Sequence, residues 1–254
     1  IIRFCRKSWG KMKNMFIENI QKKALKSILN LTANASDQNI IKSINIGEKF
    51  FIKNEIIKNQ AEILKKLVAK KHPFVNLIKS ILSNTSPNCR NKFIENLIIN
   101  AAIFTIQKQK KLAKKLGFGL PWFFVISPTA KCNLSCTGCY AHEYSKHEGL
   151  SFEEVDRIFN EAKELGIYFI TILGGEPFIW PHLFDILKKH NDMYFIIYTN
   201  GLLVNKEIAK KLSDVGNAFI GVSLEGFEKE TDLRRGKGTF AKTMEAMDNL
   251  KEAG

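Results

Sequence analysis

Three of the chain's five cysteines fall within eight residues, in the run Cys132-Asn133-Leu134-Ser135-Cys136-Thr137-Gly138-Cys139-Tyr140. Thiolates this close together can converge on one metal centre, and sulfur donors select zinc or iron–sulfur chemistry. Positions i, i+4 and i+7 also share one face of a helix, so the spacing alone leaves the local conformation open. The neighbours point to a loop: Pro128 precedes it, and Asn133, Ser135, Thr137 and Gly138 lie inside it. A 4Fe cluster held by three cysteines keeps one iron without a protein ligand, and a small molecule can bind there. The rival is a structural zinc site with His142 as the fourth ligand, although no familiar zinc spacing matches.

Further along, four short runs carry polar or glycine-rich chemistry. Gly174-Gly175-Glu176-Pro177 has two glycines that let backbone approach a ligand closely, with carbonyls able to accept from an ammonium group. Thr199-Asn200-Gly201 and Ser223-Leu224-Glu225-Gly226 offer short polar side chains, which in isolation read as turn chemistry. Arg234-Arg235-Gly236 offers cations suited to a carboxylate, or else simply solvated in a loop.

The elements that must position these runs alternate strictly. Strands are predicted over Phe123 to Ser127, Ile167 to Leu173, Tyr194 to Thr199 and Ala218 to Leu224, from apolar, β-branched and aromatic runs. Helices are predicted over Phe152 to Leu165, Leu183 to His190, Lys206 to Val215 and Phe240 to Glu252. Ser151 with Glu154 three residues on reads as a capping box at the first of them. Four βα units in tandem imply parallel strands buried under helices, with ligands gathering at the C-terminal strand ends. Each of the unusual runs falls at such an end.

Ahead of this half the pattern is helical. Apolar residues recur at helical spacing from Phe16 to about Leu82, with breaks at Pro73 and near Pro87, and a further helix is predicted from Asn91 to Lys115. Gly117, Gly119 and Pro121 mark a linker, so the expected domains are a basic helical region over 1–118 and an α/β core over 119–254.

Charge follows the same division. Residues 1–120 hold 24 basic against 6 acidic side chains (net +18) and residues 121–254 hold 15 against 19 (net −4), which together make the +14 of the chain. A basic first half can approach anionic headgroups, and Lys108, Lys110, Lys111, Lys114 and Lys115 form an amphipathic stretch suited to peripheral membrane contact. Solvated charge at a helix C-terminus explains the same lysines, as does a general bias toward Lys, Asn and Ile. Nucleic acid is not the expected partner. The cysteine pattern is not that of a disulfide framework, which makes a reducing cytoplasm the expected location. No apolar run reaches 18 residues, so a spanning helix is not expected.

At these residues the chain resembles the radical S-adenosylmethionine (radical SAM) superfamily, whose cluster motif is C-x3-C-x2-C with an aromatic before the last cysteine. Here Gly138 takes that place and Tyr140 follows the last cysteine, as in the branch reading C-x-x-C-Y-A. The resemblance covers about residues 120–254. It implies an α/β fold of the radical SAM type, a partial (β/α) barrel of six units of which four are present, so the chain is expected to stop short of the whole barrel. It implies a 4Fe-4S cluster on Cys132, Cys136 and Cys139, and S-adenosylmethionine contacted by Tyr140, Gly174, Gly175, Glu176, Pro177, Thr199, Asn200, Ser223, Glu225 and Arg235. In the family the glycine segment meets the cofactor's amino group and the polar strand ends hold its ribose and methionine parts. Arg235 is then the partner of its carboxylate, with Arg234 the alternative. Glu225 stands where many relatives have Asp. The implied chemistry is cleavage of the cofactor to a 5′-deoxyadenosyl radical that takes hydrogen from a substrate, fed by an external one-electron donor such as ferredoxin or flavodoxin. The substrate is left open among peptide, cofactor precursor and lipid. A reading of another class is a non-catalytic module, zinc-bound or electron-carrying.

Overall fold

Prolines and apolar periodicity set the helices of the first half as expected. The computed structural model describes residues 19–30, 35–49, 55–141 and 149–254, and the chain divides into two compact units, 1–85 and 86–254. The first contains helix α1 (19–30), α2 (Asp37–Lys49), α3 (Glu55–Ala69) and α4 (Pro73–Asn84). Pro73 occupies the first turn of α4, where its missing N–H costs nothing, and His72 caps that turn by accepting from Phe74 N at 3.2 Å. Ile40, Val68 and Val75 bury the apolar stripes against one another. Lys65 and Lys79 reach Glu48 and Asp37 at 2.7 and 2.6 Å.

The second unit is built on a four-stranded parallel sheet in the order β1-β2-β3-β4. Its strands are β1 (Phe123–Ile126), β2 (Phe169–Ile172), β3 (Tyr194–Thr199) and β4 (Ala218–Val222), each shorter than or equal to its predicted run. The register sets Ile126 beside Ile172 and Ile172 beside Ile197. Those residues, with Ile170 and Phe195, face helices α7 (Phe152–Glu164) and α8 (Leu183–Lys189), where Val155, Phe159, Ile186 and Leu187 complete the apolar core. Helix α9 (Lys206–Val215) matches its predicted span. The capping box is present, with Ser151 Oγ accepting from Glu154 N at 3.2 Å and Glu154 Oε2 accepting from Ser151 N at 2.8 Å. On the other sheet face the register aligns Val125, Thr171, Ile196 and Phe219, and Val125 and Phe219 are each 51% exposed.

Helix α10 (Glu228–Arg235) precedes α11 (Thr239–Ala253). No element is predicted from the sequence over this stretch, because Glu-Lys-Glu-Thr-Asp-Leu-Arg-Arg carries no apolar stripe. Local bonds hold it instead. Thr231 is buried and its Oγ1 accepts from Glu225 N at 3.3 Å, while Asp232 accepts from Gly238 N and Phe240 N at 2.6 and 2.8 Å.

The packing boundary lies at 85/86, whereas the change of composition lies near 118. The reason is a helical run, α5 (Pro87–Lys92), a π-type segment (Phe93–Phe104) and α6 (Thr105–Leu116), that docks on the N-terminal ends of the strands. Asn96, buried, donates its amide to Asn191 O and Met193 O, both at 2.8 Å, just before β3. Asn88 donates to Ser213 O and Asp214 O at 2.9 and 2.8 Å at the end of α9. Trp122 donates its indole N–H to Ala101 O at 3.0 Å, and Phe93 meets Tyr194 edge to face at 5.8 Å.

Candidate functional site

The three cysteines lie on an irregular segment that leaves β1 at its C-terminal end, as expected for a loop. Its first residues are held on two sides. Leu150 N donates to Pro128 O at 2.7 Å, while Gly175 N and Glu176 N donate to Thr129 O and Lys131 O at 2.9 and 2.8 Å. The glycine pair therefore lies directly along the approach to the cysteines. A Cβ on Gly175 would overlap the carbonyl oxygens of Lys131 and Ala130, and one on Gly174 that of Thr129. The close backbone that these glycines admit belongs to the protein itself.

The middle of the loop is tied to α10. Thr137 N donates to Arg234 O at 2.8 Å, and Arg234 Nε donates back to Thr137 O at 3.3 Å. The same arginine reaches Glu225 Oε2 at 2.7 Å, and Arg235 reaches Glu225 Oε1 through Nε at 2.9 Å and Nη2 at 2.6 Å. One carboxylate at the end of β4 thus organises both cations. These bonds, that of Arg234 first, hold the Glu225 carboxyl below the ordinary carboxylate range. Arg235 is half-buried and ion-paired, whereas Arg234 is the more exposed of the two.

Glu176 knits the second and third strand ends together. It is fully buried, and its Oε1 accepts from Thr199 Oγ1 at 2.7 Å and from Phe178 N at 3.2 Å, while Oε2 accepts from Asn200 N at 2.8 Å. Burial pushes this carboxyl up, against the pull of those three donors. Pro177, buried, begins the single turn Pro177–Ile179 that Glu176 caps. Asn200 turns its amide toward the cysteine loop, donating to Asn133 Oδ1 at 2.7 Å and approaching Cys132 Sγ at 3.8 Å. Partial burial pushes the Cys132 thiol up, opposed by a hydrogen bond from the Leu134 backbone. Ser223 N joins the ladder to Thr199 O at 2.9 Å, and Tyr140 stands exposed after the last cysteine.

The structure therefore gathers Cys132, Glu176, Thr199 and Asn200 into one constellation and Thr137, Glu225, Arg234 and Arg235 into another. Sequence reasoning missed Asn133, the Thr137 to Arg234 exchange and the Asp232 cap. The first could have been found as a polar neighbour of Cys132; the other two join residues that no spacing rule relates. Thr199 and Asn200 spend their side-chain bonds within the protein.

The donor set fits an iron–sulfur cluster. Cys132, Cys136 and Cys139 are free thiols, exposed or half-exposed. A cubane takes each thiolate on a different iron, so the sulfurs need not focus on one point. Among the described residues no three His, Cys, Asp or Glu side chains are arranged around a single ion. His142, the fourth ligand of the zinc alternative, lies outside the described residues. Cys89 sits elsewhere, with its Sγ 3.7 Å from Ser213 O in the helical docking surface.

Comparison with known proteins agrees with this geometry. Residues 126–254 match the profile of the Radical SAM superfamily. The chain is 35% identical over 131 residues to the Fe-coproporphyrin III synthase of Methanosarcina barkeri, covering 50% of this chain and 33% of that protein. It is 31% identical over 144 residues to the mycofactocin maturase MftC of Mycobacterium ulcerans, covering 54% of this chain and 38% of that one. It thus spans between about a third and two fifths of the length of these curated relatives. In fold it is similar to Streptococcus suis SuiB bound to the precursor peptide SuiA, with a TM-score of 0.50 at 23% identity over 58% of this chain and 34% of the other. The matched residues begin in β1 and take in the three-cysteine loop and every strand end described above, and the chain belongs to the radical SAM superfamily.

Proposed function

We propose that residues 86–254 form the cofactor-cleaving part of a radical SAM enzyme, with Cys132, Cys136 and Cys139 as the ligands of a 4Fe-4S cluster. The observation that carries this reading is the three-thiol loop at the C-terminal end of β1, braced by the Gly174–Glu176 segment and by Arg234. When bound, the cluster and S-adenosylmethionine supply one electron and a 5′-deoxyadenosyl radical able to take hydrogen from a substrate. The chain's own residues hold and orient. Backbone at Gly174 and Gly175 lies next to the loop, where carbonyls can meet an ammonium group. Arg235, fixed by Glu225, is the cation nearest in role to a carboxylate clamp, and Ser223 and Tyr140 are further cofactor contacts. The sheet face bearing Val125 and Phe219, half-exposed in this chain, is the side that a partial barrel turns inward.

Anaerobic reconstitution tests this. The protein is expected to hold iron and sulfide, to show an EPR signal on reduction, and to release 5′-deoxyadenosine from S-adenosylmethionine. Cys136→Ala is expected to abolish all three. A colourless zinc protein, or a cluster that never yields 5′-deoxyadenosine, would instead select the non-catalytic module. The electron source is an external carrier such as ferredoxin or flavodoxin. Similarity to an Fe-coproporphyrin III synthase and a mycofactocin maturase supports a substrate among cofactor precursors.

A second reading concerns location. Exposed Lys110, Lys111, Lys114 and Lys115 lie beside exposed Leu116 and Phe118, a mixture of cations and apolar groups suited to the edge of an anionic bilayer. Among the described residues no helix is long and apolar enough to cross a membrane. Co-sedimentation with anionic vesicles that weakens as salt rises is the expected result, and absence of binding at low salt would remove this reading.

A further inference from the structure

From the environment of Asn200 we infer that its side-chain amide is the positioning donor that sets the reduction potential of the cluster through Cys132. This rests on the reading of Cys132 as a cluster ligand. Asn200 is only 6% exposed, and its polar atoms are fully accounted for. Its backbone N–H donates to Glu176 Oε2 at 2.8 Å and its carbonyl accepts from Thr243 Oγ1 at 3.1 Å, both partners being buried. Its Oδ1 accepts from Leu202 N at 2.9 Å. Its Nδ2 is left with two protons and two acceptors, Asn133 Oδ1 at 2.7 Å and Cys132 Sγ at 3.8 Å.

The bonds from Leu202 N and to Asn133 Oδ1 also fix which way the amide points. Turned over, it would set Nδ2 against the Leu202 N–H, donor to donor, and Oδ1 against Asn133 Oδ1, acceptor to acceptor. The N–H therefore faces the sulfur, on a residue pinned from both sides and unable to swing away. A donor on a ligating sulfur draws charge from it and favours the reduced, more negative cluster. Removing that donor must make the cluster harder to reduce. The arrangement also explains why this side chain is spent inside the protein although it stands at a strand end where ligands gather.

The test uses the full chain, reconstituted anaerobically and titrated spectroelectrochemically without S-adenosylmethionine. Asn200→Asp keeps the acceptor for Leu202 N and loses the donor; Asn200→Ala loses the donor without adding charge. Both are expected to shift the midpoint to more negative potential at unchanged iron and sulfide content. Thr243→Val, which removes a bond to the Asn200 carbonyl but leaves the amide in place, is expected to leave the potential where it is. A cluster-bearing Asn200 variant with the wild-type potential overturns the inference. Should neither variant keep its cluster, pulsed EPR on the reduced wild-type protein, labelled with 15N in asparagine side-chain amides, decides: a resolved nitrogen coupling supports the inference and its absence overturns it. Failure of the wild-type chain to hold any cluster sinks the ligand assignment of the cysteines itself, which is a different result from a cluster of unshifted potential.

Discussion

A methyl group added at Gly175 has nowhere to go, because the atoms it meets are the backbone oxygens of Ala130 and Lys131 rather than the mobile end of a side chain. Gly175→Ala is expected to cost about 1–3 kcal/mol, as overpacking generally does, read as a lower denaturant midpoint at unchanged slope. Because the strain falls on the residues leading into Cys132, iron content after reconstitution is expected to fall as well. The cysteines were legible in the sequence since all three lie in one short run whose chemistry needs no tertiary information. The glycine pair was legible as a place of close approach, but what approaches was not, since the partner segment, Thr129 to Lys131 on the loop after β1, lies more than forty positions upstream. Arg235 illustrates the same limit. Its type suggested a cation for a carboxylate, and the carboxylate it holds is Glu225, a pairing that only the fold of the intervening helix discloses.

Among the elements, the strands and α9 could be read because burial on one or both faces writes itself into apolar runs, whereas α10 is held by Thr231 and Asp232 and leaves no such trace. Of the helical run from Pro87 to Leu116, the stretch from Asn91 to Lys115 was legible as helix while Pro87 read as a break, yet the docking of the run depends on single amides. Asn96→Leu is expected to destabilise the second unit by about 1–3 kcal/mol, the cost of taking the Asn96 donor from the carbonyl of buried Met193, while Asn191 O keeps Lys92 Nζ, measurable by thermal or urea unfolding. The turn between α8 and β3 adds a pH dependence. His190 is buried with Nε2 2.9 Å from Asp156 Oδ1, and its Nδ1 meets no hydrogen-bond partner among the described residues. Burial lowers its pKa from the ordinary 6.5, an effect that the Asp156 hydrogen bond only partly offsets and that Lys163 reinforces. The unfolded chain then binds the proton first. Stability is therefore expected to be full above pH 6.5 and to fall with pH toward the folded value, and His190→Gln is expected to flatten that part of a Tm-against-pH profile. Asp156, held low by Lys189 and His190 against its own burial, contributes a separate loss only at lower pH, below 3.8.

For the molecule as a whole, the change of charge near residue 118 and the change of packing near residue 85 are two different boundaries. A chain starting at Ser86 is expected to fold cooperatively and to accept a cluster, while one starting at Gly119 is expected to lose cooperative unfolding, because it uncovers Tyr194, Trp122 and the carbonyls ahead of β3. Circular dichroism and denaturant titration of the two pieces decide this. Composition could not have shown it, since the lysines that mark the helical run as part of the basic half lie on its exposed side. Within the second unit β3 holds a special position. Asn96 anchors the residue before it, Glu176 anchors Thr199 and Asn200 at its other end, and β2 and β4 flank it along its length. A strand fastened on every side can exchange its amide hydrogens only when the whole unit opens. In native-state exchange the Phe195 to Ile197 amides should therefore report global unfolding, and serve as the slow clock against which the earlier opening of the cysteine loop is timed.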